Sequence, residues 1–213
     1  MVGRQKGSYA RRGALAGAAV AALLAFPGIA NAAVDSSVSP TGVLSVSGQG
    51  ADAITITCDT SQVPGKVKIN GQDPGTGPAD CDAITAIDVT GGSGDNAITL
   101  TGVTSDAFPN AEPVTIDGGQ GNDTIKGSEL VDTMYGGEGN DRISGDDNNV
   151  PGTRDVFEGQ AGDDTLVWNG GDDDDTMNGG DGTDTIEVNG SPVAGEQFAV
   201  KPSATAGRVQ FDR

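Results

Sequence analysis

Between residues 118 and 187 one large apolar residue returns every nine positions, two places after an aspartate and shortly before a glycine. Set in register, the chain reads GGQGNDTIK (118–126), GSELVDTMY (127–135) and GGEGNDRIS (136–144). After five intervening residues come VPGTRDVFE (150–158) and GQAGDDTLV (159–167). After two more come GGDDDDTMN (170–178) and GGDGTDTIE (179–187). The sixth place is aspartate throughout: Asp123, Asp132, Asp141, Asp155, Asp164, Asp175 and Asp184. The eighth is Ile125, Met134, Ile143, Phe157, Leu166, Met177 or Ile186. A lone apolar residue between two polar ones predicts a three-residue strand with one side chain inward and two outward. The glycine-rich six that precede it predict a tight turn. A single unit cannot bury its own apolar residue, so units must stack, each covering the next.

The flanks read differently. Over 33–117 the runs VLSVSG, AITIT, KVKIN, AITAIDVT and NAITLTG alternate small polar and β-branched residues between glycine or proline turns, which predicts strands. Three echoes of the repeat occur there: SGQGADAIT from 47, GPADCDAIT from 77 and GGSGDNAIT from 91. Asp52 and Asp82 hold the sixth place in the first two, and Asn96 replaces the aspartate in the third. The expectation is a run of degenerate solenoid coils that caps the repeats; a separate small β-sandwich is the alternative. Residues 188–213 hold two more strand candidates, EQFAVKP and GRVQFDR. The chain is expected to be a short or an incomplete member of its kind.

The pattern G-G-x-G-x-D-x-U-x, with U a large apolar residue, resembles the hemolysin-type calcium-binding repeat, or RTX nonapeptide. The resemblance implies an all-β fold, a right-handed parallel β-roll or β-helix solenoid over 118–187 with a degenerate N-terminal β-rich cap. It implies turns that bind Ca2+, about three or more ions. A hard cation takes six to eight oxygens from carboxylates and carbonyls alike. The expected metal residues are Gly118, Gln120, Asn122 and Asp123; Gly136, Glu138, Asn140 and Asp141; Gly159, Ala161, Asp163 and Asp164; and Gly179, Asp181, Thr183 and Asp184. One coil takes two nonapeptides, so alternate units lie on opposite sides. The units from 118, 136, 159 and 179 keep glycine at places one and four, and calcium is expected between them. On the other side Leu130, Thr153 and Asp173 stand at place four, so Asp132, Asp155, Asp173 and Asp175 are weaker candidates. The 172–175 cluster could hold an ion or form a solvated acidic loop.

Composition sharpens this reading. Of 213 residues 35 are glycine, none is histidine, and aromatic residues make up 4%. A conventional core is poorly supplied, and the ion is expected to furnish ordering energy in its place, with folding dependent on calcium. The net charge of −19 disfavours nucleic acid and attracts cations. Arg4, Lys6, Arg11 and Arg12 precede an apolar run over 14–29 that ends in Ala30-Asn31-Ala32, which predicts a signal peptide over 1–32, cut before Ala33. Its removal takes away four basic and no acidic residues, leaving −23. The Arg11-Arg12 pair fits a twin-arginine signal poorly. No later run is long enough to span a membrane, so a secreted, extracellular protein is expected. In that oxidising space Cys58 and Cys81, the only two cysteines, are expected to pair; two buried thiols are the alternative. Lack of histidine removes Ser-His-Asp, Cys-His and histidine-zinc chemistry, and no enzyme is expected. The alternative function is adhesion to a glycan or cell-surface partner, with calcium purely structural. Threonines 124, 133, 165, 176 and 185 at place seven would then offer an outward ladder.

Overall fold

A computed structural model describes residues 34–145, 154–169, 175–190, 199–202 and 209–212; the expected signal peptide lies outside them. Along the chain, β1 (Asp35–Val38) and β2 (Val43–Ser47) start a first sheet, and β3 (Ala53–Asp59) and β4 (Lys66–Ile69) start a second. The chain then alternates. β5 (Ala86–Thr90), β7 (Val114–Gln120), β9 (Asp132–Glu138), β11 (Val156–Ala161) and β13 (Thr176–Asp181) extend the first sheet. β6 (Ala97–Thr99), β8 (Thr124–Lys126), β10 (Arg142–Ser144), β12 (Thr165–Asn169) and β14 (Thr185–Asn189) extend the second. From β2 to β13 and from β3 to β14 each pairing is parallel, and the parallel run passes from β5 and β6 into β7 and β8 without a break. The chain is an all-β roll of two parallel sheets.

Two stacked columns make the core. The first sheet aligns Val46, Val89, Ile116, Met134, Phe157 and Met177. The second aligns Ile54, Ile98, Ile125, Ile143, Leu166 and Ile186. All are buried except Ile186, which is partly so. Each contributes roughly 1.5–3 kcal/mol by leaving water. A further column on the first sheet changes character. It is Leu44, Ile87 and Val114, all fully buried, and then Asp132 opposite Val114. The N-terminal coils therefore close this corner with hydrocarbon and the repeats close it with carboxylate, which is why the N-terminal coils match the nonapeptide only in part.

Both sheets are blunted at the N-terminal end. β1 runs antiparallel on β2 and β4 antiparallel on β3. The edge of β1 is covered in turn: the Gly75 amide donates to the Ser36 carbonyl at 2.8 Å, and the Val38 amide to Thr76 Oγ1 at 3.0 Å. Such caps remove the open edge that would pair with another chain. At the other end β16 (Val209–Asp212) lies antiparallel on β13, with β15 (Ala199–Pro202) beyond it. These two are the strands expected in the tail.

Two of the three N-terminal echoes differ from expectation. Ser47 pairs with Thr90, so Gly48, not Ser47, stands opposite Gly91, and the turn to Asp52 is one residue shorter than a repeat turn. The stretch from 77 is not a coil. Cys81–Ala83 forms a 3-10 turn in an excursion between β4 and β5. It is held by Cys81 N–H to the Gly65 carbonyl at 2.9 Å, Val67 N–H to the Ala79 carbonyl at 3.0 Å and the Lys66–Asp80 ion pair. Local ties to β4 outweigh the repeat pattern there.

Cys58 and Cys81 form the expected disulfide across 23 residues. In the chain-entropy account a loop of this length stabilises by about 3 kcal/mol. Replacing both cysteines by serine is expected to lower the unfolding free energy of the N-terminal coils by about that amount. Denaturant titration of the variant should show a lower midpoint, and an unchanged midpoint would mean that the hairpin holds itself.

Among the described residues no helix is long and apolar enough to cross a membrane.

Candidate metal centre

The turns of the units from 118, 136, 159 and 179 lie on one side of the roll, stacked in order. Gly119 pairs with Gly137, and Gln160 with both Gly137 and Gly180. The echo from 91 joins the stack, with Ser93 bridged to Gln120. Glycine is used in two ways in these turns. Places two and four take positive φ, as in Gly119 (+100), Gly121 (+117), Gly137 (+117) and Gly139 (+124). Place one is needed for close approach: a side-chain carbon at Gly118 would stand 2.5 Å from both Asp123 Oδ2 and the Gly136 carbonyl oxygen.

The sixth-place residues form a buried ladder. The amide of each donates to the side chain one coil on: Asp52 to Asn96 Oδ1 (2.9 Å), Asn96 to Asp123 Oδ1 (2.7 Å), Asp123 to Asp141 Oδ1 (2.7 Å), Asp141 to Asp164 Oδ1 (2.8 Å) and Asp164 to Asp184 Oδ1 (3.1 Å). Asp123, Asp141 and Asp164 are at most 2% exposed, and Asp184 is half-buried. One oxygen of each carboxylate is thus matched. The other, Oδ2 of Asp123, Asp141 and Asp164, is buried with no hydrogen-bond donor. It faces the space beside the place-one glycine of its own turn, which the place-one carbonyl of the next turn also faces: Gly136 for Asp123, Gly159 for Asp141, Gly179 for Asp164. Oxygen facing oxygen without a proton between them is unfavourable unless a cation lies nearby. Burial accordingly pushes the carboxyls of Asp123 and Asp164 up and that of Asp141 up to about 6.

The other expected residues belong to the lattice that holds the turns together. The third-place carbonyls of Gln120, Glu138, Ala161 and Asp181 accept the fourth-place amides of Gly94, Gly121, Gly139 and Gly162, at 2.5 to 2.9 Å. The fifth-place side chains make a second, exposed ladder that runs the opposite way. Asn122 Oδ1 accepts from the Asn140 amide, Asn140 Oδ1 from Asp163, and Asp163 Oδ1 from Thr183, at 2.8 to 2.9 Å. The structure therefore brings places one and six together at the orphaned oxygens and spreads places three and five around them. Among the described residues no three acidic side chains converge on one point, so any ion there takes much of its shell from the backbone. An all-oxygen cradle with buried negative charge and no amine suits a hard divalent cation.

The opposite side is built differently. Asp132 accepts the Ser128 amide on Oδ2 (2.6 Å) and the Ser128 hydroxyl on Oδ1 (2.8 Å). Its own amide donates to Asp155 Oδ1, and the Asp155 amide to Asp175 Oδ1, both at 2.9 Å. Leu130, at place four, is buried in the core instead of entering a repeat-type turn. Asp173 and its neighbours lie outside the described residues. The place-seven threonines do not form one ladder: Arg142 separates Thr124 from Thr165 on the second sheet, and Val156 separates Thr133 from Thr176 on the first.

Residues 117–149 and 152–186 match the family described as "RTX calcium-binding nonapeptide repeat (4 copies)". No curated protein and no solved structure matches the chain.

Proposed function

We propose that the RTX repeats of residues 117–186 hold calcium between successive turns of the side that carries Asp123, Asp141, Asp164 and Asp184, and that the ions make folding of the repeats depend on calcium. The supporting observation is the set of three buried carboxylate oxygens without donors, each facing a carbonyl of the next turn. Four stacked turns enclose three such places, one ion to each. The sixth-place aspartates supply the charged oxygen and place-one glycines a carbonyl; the third- and fifth-place groups complete the shell or space the turns. Without the ions the charged column repels itself, and the glycine-rich turns lose more entropy on ordering than packing of one apolar residue per unit returns. Calcium modules outside cells work at about 10⁻⁴ to 10⁻³ M, so the sites would be empty before export and filled after it. This suits a secreted chain in which the metal is structural and no reaction is catalysed.

Circular dichroism of the chain during a calcium titration, with magnesium as control, tests this. A calcium-specific gain of β-signal in the sub-millimolar to millimolar range is expected. A spectrum already folded in chelator and unmoved by calcium would sink calcium-dependent folding.

A further inference from the structure

Asn96 occupies the sixth-place ladder as the aspartates do. It is 3% exposed, and its Oδ1 accepts the Asp52 amide at 2.9 Å, as Asp141 Oδ1 accepts that of Asp123. That bond fixes which terminal atom is which: the oxygen must face the amide, so the nitrogen points the other way. The Asn96 Nδ2 therefore lies where Oδ2 lies in the following coils. A side-chain carbon at Gly91 would meet Asn96 Nδ2 at 2.9 Å, just as one at Gly118 would meet Asp123 Oδ2 at 2.5 Å. The surroundings match as well. The two hydrogens of Asn96 Nδ2 are shared among the Gly94 carbonyl (2.5 Å), Asp123 Oδ1 (3.1 Å) and the Gly118 carbonyl (3.3 Å). In the next coil the residues at these places are Gly121, Asp141 and Gly136, and the atom among them is a carboxylate oxygen with nothing to donate.

We propose, on the basis of the calcium reading above, that Asn96 terminates the cation column: its amide group supplies internally the positive partner that an ion supplies in each later coil. The chain is then divided at one atom. On the N-terminal side the counterpart of the orphaned oxygens, Asp52 Oδ2 beside Gly48, accepts the Gln49 and Gly50 amides at 2.9 and 3.1 Å. Asp52 Oδ1, which no earlier coil's amide reaches, is buried without a donor. Leu44, Ile87 and Val114 close the far corner, with the disulfide as a further tie. On the C-terminal side the coils are closed by metal. The cation-independent coils end in a finished turn, the echo from 91, whose exposed Asp95 Oδ1 and buried Asn96 amide are the partners of the first repeat turn. They form a permanent template on which the first repeat docks when calcium arrives, removing the need to nucleate a solenoid from a disordered chain.

The test uses two isosteric substitutions in the full chain. Asn96→Asp keeps the Oδ1 acceptor and replaces the amide by a second carboxylate oxygen. Asp123→Asn does the reverse one coil on. Calcium stoichiometry by isothermal titration calorimetry should rise by one ion in the first variant and fall by one in the second. Hydrogen exchange in chelator should show strands β2, β3, β5 and β6 protected in the natural chain. Protection should extend through β8 in Asp123→Asn. Equal stoichiometry in the natural chain and Asp123→Asn would overturn the proposal, even if Asn96→Asp did not fold. If the natural chain bound calcium and Asn96→Asp folded without gaining an ion, this inference would fail while the calcium reading stood. Absence of calcium binding in the natural chain would overturn both.

Discussion

Alanine at Gly139 is expected to abolish folding of the repeats even at saturating calcium, whereas alanine at Gly71 is expected to leave their folding intact. Both glycines have positive φ, +124° and +77°. The conformational penalty for a side chain there is about 1–2 kcal/mol, partly offset because alanine also restricts the unfolded chain. At Gly71 that is the whole effect, since a Cβ meets nothing within 4 Å. At Gly139 the same carbon would lie 2.6 Å from the Gly121 carbonyl carbon and nearer still to its oxygen. The backbone cannot yield, because Gly139 N–H is bonded to the Ala161 carbonyl and Gly121 N–H to the Glu138 carbonyl, both at 2.8 Å. Opening one coil would break the spacing on both sides of it. Overpacking of this kind adds about 1–3 kcal/mol to the conformational term, for a total of roughly 2–5 kcal/mol. That is a large fraction of the stability of a small domain, about 5–15 kcal/mol. Calcium-dependent ellipticity should be lost in Gly139→Ala and retained in Gly71→Ala. Retention in both would mean that the coils are not packed backbone to backbone.

The contrast between these glycines also marks what could be read in the chain. That Gly139 belongs to a stacked turn follows from the nine-residue period, and so do the side on which it lies and the isoleucine column beneath it. The period is a local property, and each repeat imposes the same requirement on its neighbour. The pairing of Cys58 with Cys81 was legible for a simpler reason: no other cysteine exists. Other features depend on contacts between coils that no local window contains. That the turn before Asp52 is one residue short shows only when Ser47 is seen opposite Thr90. GPADCDAIT carries the aspartate and isoleucine of a repeat, yet Cys81 and its backbone bond to Gly65 divert it into a 3-10 turn. The change from Val114 to Asp132 in one column is visible as two residue types but not as one place in space. Asn96 was recognisable as a replaced aspartate. What the replacement does, donating where the others cannot, required the positions of three oxygens.

Acid is expected to stabilise the repeats in chelator and to erase the advantage that calcium gives them. In chelator the buried carboxyl of Asp141 has its pKa raised to about 6, mainly by burial and further by the charges of Asp123 and Asp164. Those two are raised for the same main reason. A carboxyl whose pKa is higher in the fold than in the unfolded chain, about 3.9, binds protons more readily when folded. Stability therefore increases as pH falls from 7 through about 6 and levels off near 4, where the unfolded chain is protonated too. For Asp141 alone the gain is on the order of 2–3 kcal/mol. The part-exposed carboxyls of Asp59 and Glu187, lowered by hydrogen bonds from Ser61 and from Arg142, oppose this only below the ordinary carboxylate range. With calcium bound this gain is absent, because the ion already neutralises the column. The ion requires the charged oxygen, so protons compete with it, and the extra stability that calcium confers shrinks as pH falls and protons replace the ion. The β-signal of the repeats by circular dichroism against pH, in chelator and in millimolar calcium, should give two curves that differ at neutral pH, where only the loaded repeats are folded, and converge near pH 5. Parallel curves would show that the buried carboxylates and the ion do not share the same oxygens.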